Sequence, residues 1–354
     1  MMERVEEIEL AGGGINRVVR IGDAVHRPSA PWSAATRELL TLLHGAGLPV
    51  PSWRGTDDLG RDVLDYLPGE VGHYPLSEAV RTDAALVSAA RLLRRFHDIS
   101  VSLVTRDLPW QLPALADAEV IVHGDYAPYN LVFSGEQVVG IFDLDYARPG
   151  PRRFDLSYAI YRFAPLASAH DGWGTLPERA ARVRLFCESY GLDACSVAES
   201  VAAVVPRLLG HVAYIRAEAA GGNEAFARHI AEGHAELYER DAAYVAAHLA
   251  DFGAWPHRDY AICHDIPAIP GMMMGMRVPR VLPFLHHERT CMATYGDAED
   301  VYADAPSDAI HQGSEIEIDT TKLPEDEVMP ASFNPGKAYA VDPDVSRDGL
   351  PTSS

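Results

Sequence analysis

Two rhythms of hydrophobic and polar positions divide this chain. Short apolar runs closed by turn residues mark strands: Ala24–Arg27 follows a Gly22–Asp23 turn, and Glu119–Val122 reads as a strand. Leu131–Phe133 and Gln137–Phe142, split by Ser134, Gly135 and Glu136, read as a β-hairpin. Elsewhere the period is helical. Leu86, Ala90, Leu93 and His97 fall on one face of a helix over Asp83–His97. Three further helices follow: Pro177–Tyr190 stopping at Gly191, Ser196–Ala219 kinked at Pro206, and Asn223–Ala250 opening on a capping asparagine. Past Trp255–Pro256 the periodicity is lost. The stretch Thr294–Ser354, rich in Asp, Pro and Ser, predicts a poorly ordered or surface-draped segment.

The strand before His123 and the hairpin after Asn130 frame the most informative polar residues. Gly124 permits a tight turn that presents Asp125 outward, and Asn130 returns five residues later. The second hairpin strand ends at Asp143, which the hairpin brings back beside Asn130. An aspartate able to accept a proton from a hydroxyl, with an amide and a carboxylate as oxygen ligands for Mg²⁺, is a set suited to phosphoryl transfer. His123 reads chiefly as a brace of the turn. Asp145 reads equally as a second metal ligand or an ordinary loop acid, and Asp155 as a brace of backbone.

Val122–Phe133 and Ile141–Tyr158 resemble the catalytic and metal-binding segments of the aminoglycoside phosphotransferase and choline kinase superfamily, relatives of the protein kinases; the likeness covers about residues 8 to 250. It implies an α+β, protein-kinase-like two-lobed fold with a small antiparallel β N-lobe (1–66) and a mainly helical C-lobe (67–255), followed by an extension (256–354) with no family reading. It also implies ATP and Mg²⁺ as cofactors, with Asp125 and His123 in the catalytic loop and Asn130, Asp143 and Asp145 at the metal. Gly12–Arg20 resembles the turn over the nucleotide, offering Gly13, Gly14 and Asn16; Glu38 occupies the position of the αC glutamate, and Tyr66 lies in the hinge Leu64–Glu70. One departure stands out. The only lysines are Lys322 and Lys337, so no strand lysine can grip the phosphates, and Arg27, paired with Glu38, is the expected replacement.

Composition narrows the partners. With 354 residues, 47% hydrophobic and 23% charged, the chain can build a large core. A formal charge of −21 argues against nucleic acid. It leaves room for a cationic hydroxylated small molecule, which Asp171, Glu188, Glu218 and Glu232 would line if they are more than a solvated surface. No apolar run is read as a membrane span and the N-terminus lacks signal-peptide features, so a cytoplasmic protein is expected. Four scattered cysteines read as free thiols. Asp251-Phe252-Gly253 and His257-Arg258-Asp259 spell kinase triplets in reversed order and read as chance matches. The expectation is a small-molecule kinase acting on an antibiotic-like, aminoglycoside-type or other hydroxyl acceptor; the alternative is a catalytically weak scaffold that binds a partner through the extension.

Overall fold

Short strands and tight turns give the N-terminal end an antiparallel sheet. The computed structural model describes residues 7–10, 18–169 and 172–253. Strands β1 (Glu7–Glu9), β2 (Val19–Ile21), β3 (Ala24–Pro28), β4 (Trp53–Thr56) and β5 (Arg61–Asp65) lie in the order β1-β2-β3-β5-β4. Gly22 turns β2 into β3 at φ +61°, where a side chain would be strained. Helix α1 (Ser33–Gly45) packs Leu39, Leu40 and Leu43 inward, each at 3% exposure or less. Each such leucine contributes about 1.5–3 kcal/mol of burial.

Behind the sheet, α2 (Glu78–Arg81) leads into α3 (Asp83–Ser100), capped by the Thr82 hydroxyl on the Ala85 N–H. Leu86, Ala90, Leu93 and His97 all face the core from α3, as the helical spacing predicts. The Ser100 hydroxyl bridges α3 to β7 (Val120–Val122): it accepts from the Ile121 N–H at 3.0 Å and reaches the Ile121 carbonyl at 3.3 Å. Strand β7 pairs antiparallel with β10 (Arg148–Gly150). Strand β6 (Glu70–Val71) joins the hairpin β8 (Leu131–Ser134) and β9 (Gln137–Ile141), close to the expected limits.

The rest is helical: α4 (Arg152–Phe163), α5 (Leu176–Tyr190), α6 (Ala194–Ala202), α7 (Val204–Ala220), α8 (Glu224–Ala231), α9 (His234–Ala247) and α10 (Leu249–Phe252). Helix α5 starts on a capping box of Thr175 and Glu178 and stops at left-handed Gly191. Two expected long helices are broken. Pro206 has no N–H for the Ala202 carbonyl, and its ring crowds that carbonyl, so the break falls at Ala203, a turn before the proline. Gly233, at φ +82°, separates α8 from α9, and Asn223 caps the first of them as its position suggests.

Two corrections concern the surface reading. Ala194–Ala220 is long and apolar enough by composition to cross a membrane, against the expectation that no run reaches that length. It is two helices whose Val197, Val201, Val204, Leu208 and Val212 are fully buried in the core. Cys187 is a buried free thiol, whereas Cys195 is disulfide-bonded.

Candidate active site

The loop after β7 is held on every side. Gly124 sits at φ +88°, and a Cβ there would lie 2.5 Å from the Tyr146 carbonyl oxygen, so no other residue fits without movement. Asp155, on the first turn of α4, accepts the His123 backbone N–H at 2.6 Å on Oδ2 and the Gly124 N–H at 2.9 Å on Oδ1. His97 Nε2 lies 3.0 Å from the same Oδ2, and the Tyr190 hydroxyl 2.8 Å from His97 Nδ1. Burial pushes the Asp155 carboxyl upward, but His97, His123 and the Gly124 amide outweigh it and hold its pKa below the ordinary aspartate value. Asp155 therefore braces backbone, as expected.

His123 also acts as a brace. Its Nε2 lies 3.1 Å from the Phe142 carbonyl and its Nδ1 accepts the Asp125 N–H at 3.3 Å, an arrangement that assigns the Nε2–H tautomer. Burial pulls its pKa down against the nearby Asp155 and Asp125, so the ring is neutral. It joins the loop to the strand end that carries Asp143.

Asp125 and Asn130 meet as the five-residue spacing predicts. The Asn130 side-chain amide donates to the Asp125 carbonyl at 2.8 Å and to its Oδ2 at 3.0 Å. Such an orientation leaves the amide oxygen of Asn130 for another partner. The Phe142 N–H donates to the Asn130 carbonyl at 3.1 Å, which ties the residue before Asp143 to the loop. Asp143 itself has φ +62° in the left-handed region, rare for a residue other than glycine. Burial first, then Asp145 and Asp125, push its carboxyl up to about 7, with Arg27 pulling the other way.

The Arg27 pairing differs from expectation. Its guanidinium, on β3, binds the Asp145 carboxylate, while Glu38 on α1 pairs with Arg106 instead. Both members of the Arg27–Asp145 pair are about 15% exposed, whereas Arg106 is 53% exposed, so Glu38 faces outward to a surface partner. Asp145 is thus neither an isolated loop acid nor a carboxylate without a partner. The Tyr66 backbone N–H donates to the Asp23 carbonyl, and its ring lies under the Arg20 guanidinium at 3.7 Å. The strands flanking the Gly12–Arg20 turn pair antiparallel, but Gly13, Gly14 and Asn16 lie outside the described residues, as do Asp171, the 256–354 segment and the His257-Arg258-Asp259 triplet.

Sequence reasoning missed three participants. The Tyr129 hydroxyl donates to Asp125 Oδ1 at 2.7 Å and lies 2.9 Å from the Tyr158 hydroxyl. Arg207, far along the chain on α7, donates from Nη2 to the Gly124 carbonyl at 3.0 Å. Only the i,i+4 placement of Tyr129 after Asp125 is visible locally. The expected acidic lining is dispersed: Glu188 is exposed, Glu218 accepts from Asn223 at 3.1 Å, and Glu232 lies 3.7 Å from His234 at the surface. Trp173 lies in the loop before α5, flanked by the guanidinium groups of Arg81 at 4.4 Å and Arg182 at 5.2 Å.

A small antiparallel sheet beside a helical body, with an Asp–Asn loop and a carboxylate turn beneath the sheet, defines a kinase-like phosphotransferase. A family model described as the phosphotransferase enzyme family matches residues 101–186. The trifolitoxin immunity protein of Rhizobium leguminosarum bv. trifolii is 34% identical over 203 residues, covering 53% of this chain and 75% of that protein. Among solved structures, the GDP complex of wild-type aminoglycoside 2'-phosphotransferase-IIIa aligns with a TM-score of 0.47 at 18% identity, covering 67% of this chain and 92% of that one. The amicoumacin kinase hAmiN in complex with AMP-PNP, Ca²⁺ and Ami aligns at 0.44 and 13%, covering 56% and 78%. The chain belongs to the phosphotransferase enzyme family.

Proposed function

We propose that this protein transfers the γ-phosphate of ATP to a hydroxyl of an antibiotic-like small molecule. The observation that carries the reading is the convergence of Asp125, Asn130 and the Asp143–Asp145 turn around one buried loop. Asp125 accepts the hydroxyl proton and orients the attacking oxygen, a contribution worth about 10²–10⁴-fold in such reactions. Arg27 would stand in at the phosphates for the lysine that the sheet lacks, and Tyr66 would lie beside the adenine. The relative's name, an immunity protein against trifolitoxin, supports an antimicrobial compound as the acceptor class.

The residues fit a divalent cation. Asp143 is driven toward protonation by burial first and then by Asp145 and Asp125, and the negative charge these carboxylates add is one that a bound cation would relieve. Asp143, the side-chain amide oxygen of Asn130 and, once released from Arg27, Asp145 are the oxygen donors that would hold Mg²⁺. The ion supplies charge neutralisation at the phosphates when bound. Arg27 and the two carboxylates form the part of the chain that rearranges to admit the nucleotide.

One observation favours a second reading, a nucleotide-binding scaffold: Arg27 is paired with Asp145 and not with Glu38. A coupled ADP-release screen over aminoglycosides, macrolides, amino alcohols and sugars, with Asp125→Asn as control, separates the two. Acceptor-stimulated release lost in Asp125→Asn supports the kinase. No stimulated release by any acceptor, with ATP·Mg²⁺ raising the melting temperature of wild type but not of Asp143→Ala, supports the scaffold.

A further inference from the structure

Arg207 has no place in the proposed chemistry, yet its guanidinium reaches the backbone of the Asp125 loop from a distant helix. It sits in the first turn of α7 at 3% exposure. Its guanidinium carbon lies 4.4 Å from the Phe154 ring centre and 4.6 Å from that of Tyr158. Nη2 donates to the Gly124 carbonyl at 3.0 Å, and among the described residues no hydrogen-bond acceptor lies within reach of Nε or Nη1. Leaving two guanidinium donors unmatched in a closed interior is costly, and packing at α7 could be met by a leucine or methionine at lower cost. Burial pulls the Arg207 pKa down, opposed in part by Tyr158, Asp125 and Asp155.

Its hydrogen bond lands on the residue just before Asp125. Gly124 has its N–H held by Asp155, its α-carbon lodged against the Tyr146 carbonyl, and its own carbonyl held by Arg207. Removing the Arg207 bond leaves the peptide plane between Gly124 and Asp125 held by the 3.3 Å bond from the Asp125 N–H to His123 Nδ1, so the plane is freer to tilt and to shift the Asp125 carboxylate against its Tyr129 and Asn130 donors. An error of about 1 Å in such a group can lower turnover on the order of a hundredfold.

We propose that Arg207 is a positioning residue for Asp125, fixing the Gly124–Asp125 peptide from across the helical lobe; this rests on the kinase reading above. The test uses the full chain and needs no identified acceptor. ADP release from ATP·Mg²⁺ to water, affinity for a fluorescent ATP analogue, and amide hydrogen exchange of residues 123–126 are measured for wild type, Asp125→Asn, Arg207→Met and Arg207→Lys. Arg207→Met is expected to lower ADP release by about tenfold or more with nucleotide affinity within about twofold, and to speed exchange at Gly124 and Asp125 selectively. Wild-type turnover together with wild-type exchange in Arg207→Met overturns the proposal, as does a loss of turnover matched by an equal loss of nucleotide affinity. Should Arg207→Met fail to fold, Arg207→Lys decides: its shorter stem is expected to weaken the same bond, and wild-type exchange at Gly124 would overturn it. If Asp125→Asn releases ADP like wild type, the kinase reading fails instead, and exchange at Gly124 still reports whether Arg207 holds the loop.

Discussion

Around Asp125 the polar groups are buried and tied to one another, whereas around Arg27 the charges are partly exposed and the ion pair joins two groups that, in the proposed function, nucleotide binding would separate. Asp125 and Asn130 are 3% and 4% exposed, and Asp155, which anchors their loop, is 1% exposed. In the sheet, by contrast, Arg54 bridges Asp23 and Asp65 and Arg61 bridges Asp57 and Glu7, with Asp23 and Glu7 open to solvent, while Arg37 binds the buried Asp62. Interior hydrogen bonds are costly to lose because no water replaces them; exposed pairs are screened and exchange readily. On the proposed function, the acceptor end is therefore set before substrate arrives, while the nucleotide end is left adjustable.

The sharpest way to break that contrast is to replace the proposed base. Asp125→Asn keeps the shape and one acceptor oxygen, so it is expected to fold normally and to lower acceptor-dependent ADP release about 10²–10⁴-fold. Unchanged release would place the proton acceptor elsewhere. Next in size is the anchor. Asp155→Ala strips the acceptor from the His123 and Gly124 amides and from His97, and is expected to cost on the order of 3–5 kcal/mol in urea unfolding. Because the folded Asp155 pKa is lowered, its contribution is present above pH about 4 and is lost as pH falls through the lower folded value. The variant should show a flatter acid limb than wild type. A loss below about 1 kcal/mol would mean that the loop is held by its packing alone.

What could be read from the chain follows this same division. The Asp125–Asn130 spacing, the hairpin to Asp143 and the bracing role of His123 were legible because each is fixed within a few residues of tight turn or by one short hairpin. Arg207 and Tyr158 were not, since they reach the loop from helices packed against it in space, and a buried arginine or tyrosine on an apolar helix carries no local mark of its target. The Glu38 position on α1 was placed by likeness, but which arginine reaches it depends on the relative depth of β3 and the segment after α3, which no periodicity encodes. Pro206 announced a disturbance, but its clash with the carbonyl four residues back put the break one turn upstream.

A smaller effect tests the adjustable end. Asp143 titrates near 7 in the folded protein, raised by burial and by Asp145, so folding favours its protonated form. With the folded value above the unfolded one, the stability it contributes is complete below pH about 4 and is lost as pH rises toward 7. The expected change without Mg²⁺ is on the order of 1 kcal/mol after solvent screening of this half-buried group. Melting curves from pH 4 to 8 should decline less steeply in Asp143→Asn, and ATP·Mg²⁺ should flatten the wild-type curve. Parallel slopes in wild type and variant would show that the carboxylates are not crowded.

The smallest expected effect lies in the sheet. Arg54 bonds Asp23 and Asp65 with three contacts, among them 2.9 Å to Asp23 Oδ1 and 3.0 Å to Asp23 Oδ2, yet the Asp23 side chain is 85% exposed and that of Arg54 37%. Good geometry raises the attraction, but water and salt surround both partners, and holding two long side chains in one arrangement costs entropy. Arg54→Ala is expected to melt indistinguishably from wild type at about 0.15 M salt, where the Debye length is about 8 Å, with any difference confined to low salt. A loss comparable to that of Asp155→Ala, persisting in salt, would mean that the sheet charges are held as firmly as those of the buried loop, and the distinction between a preset acceptor end and an adjustable nucleotide end would have to be abandoned.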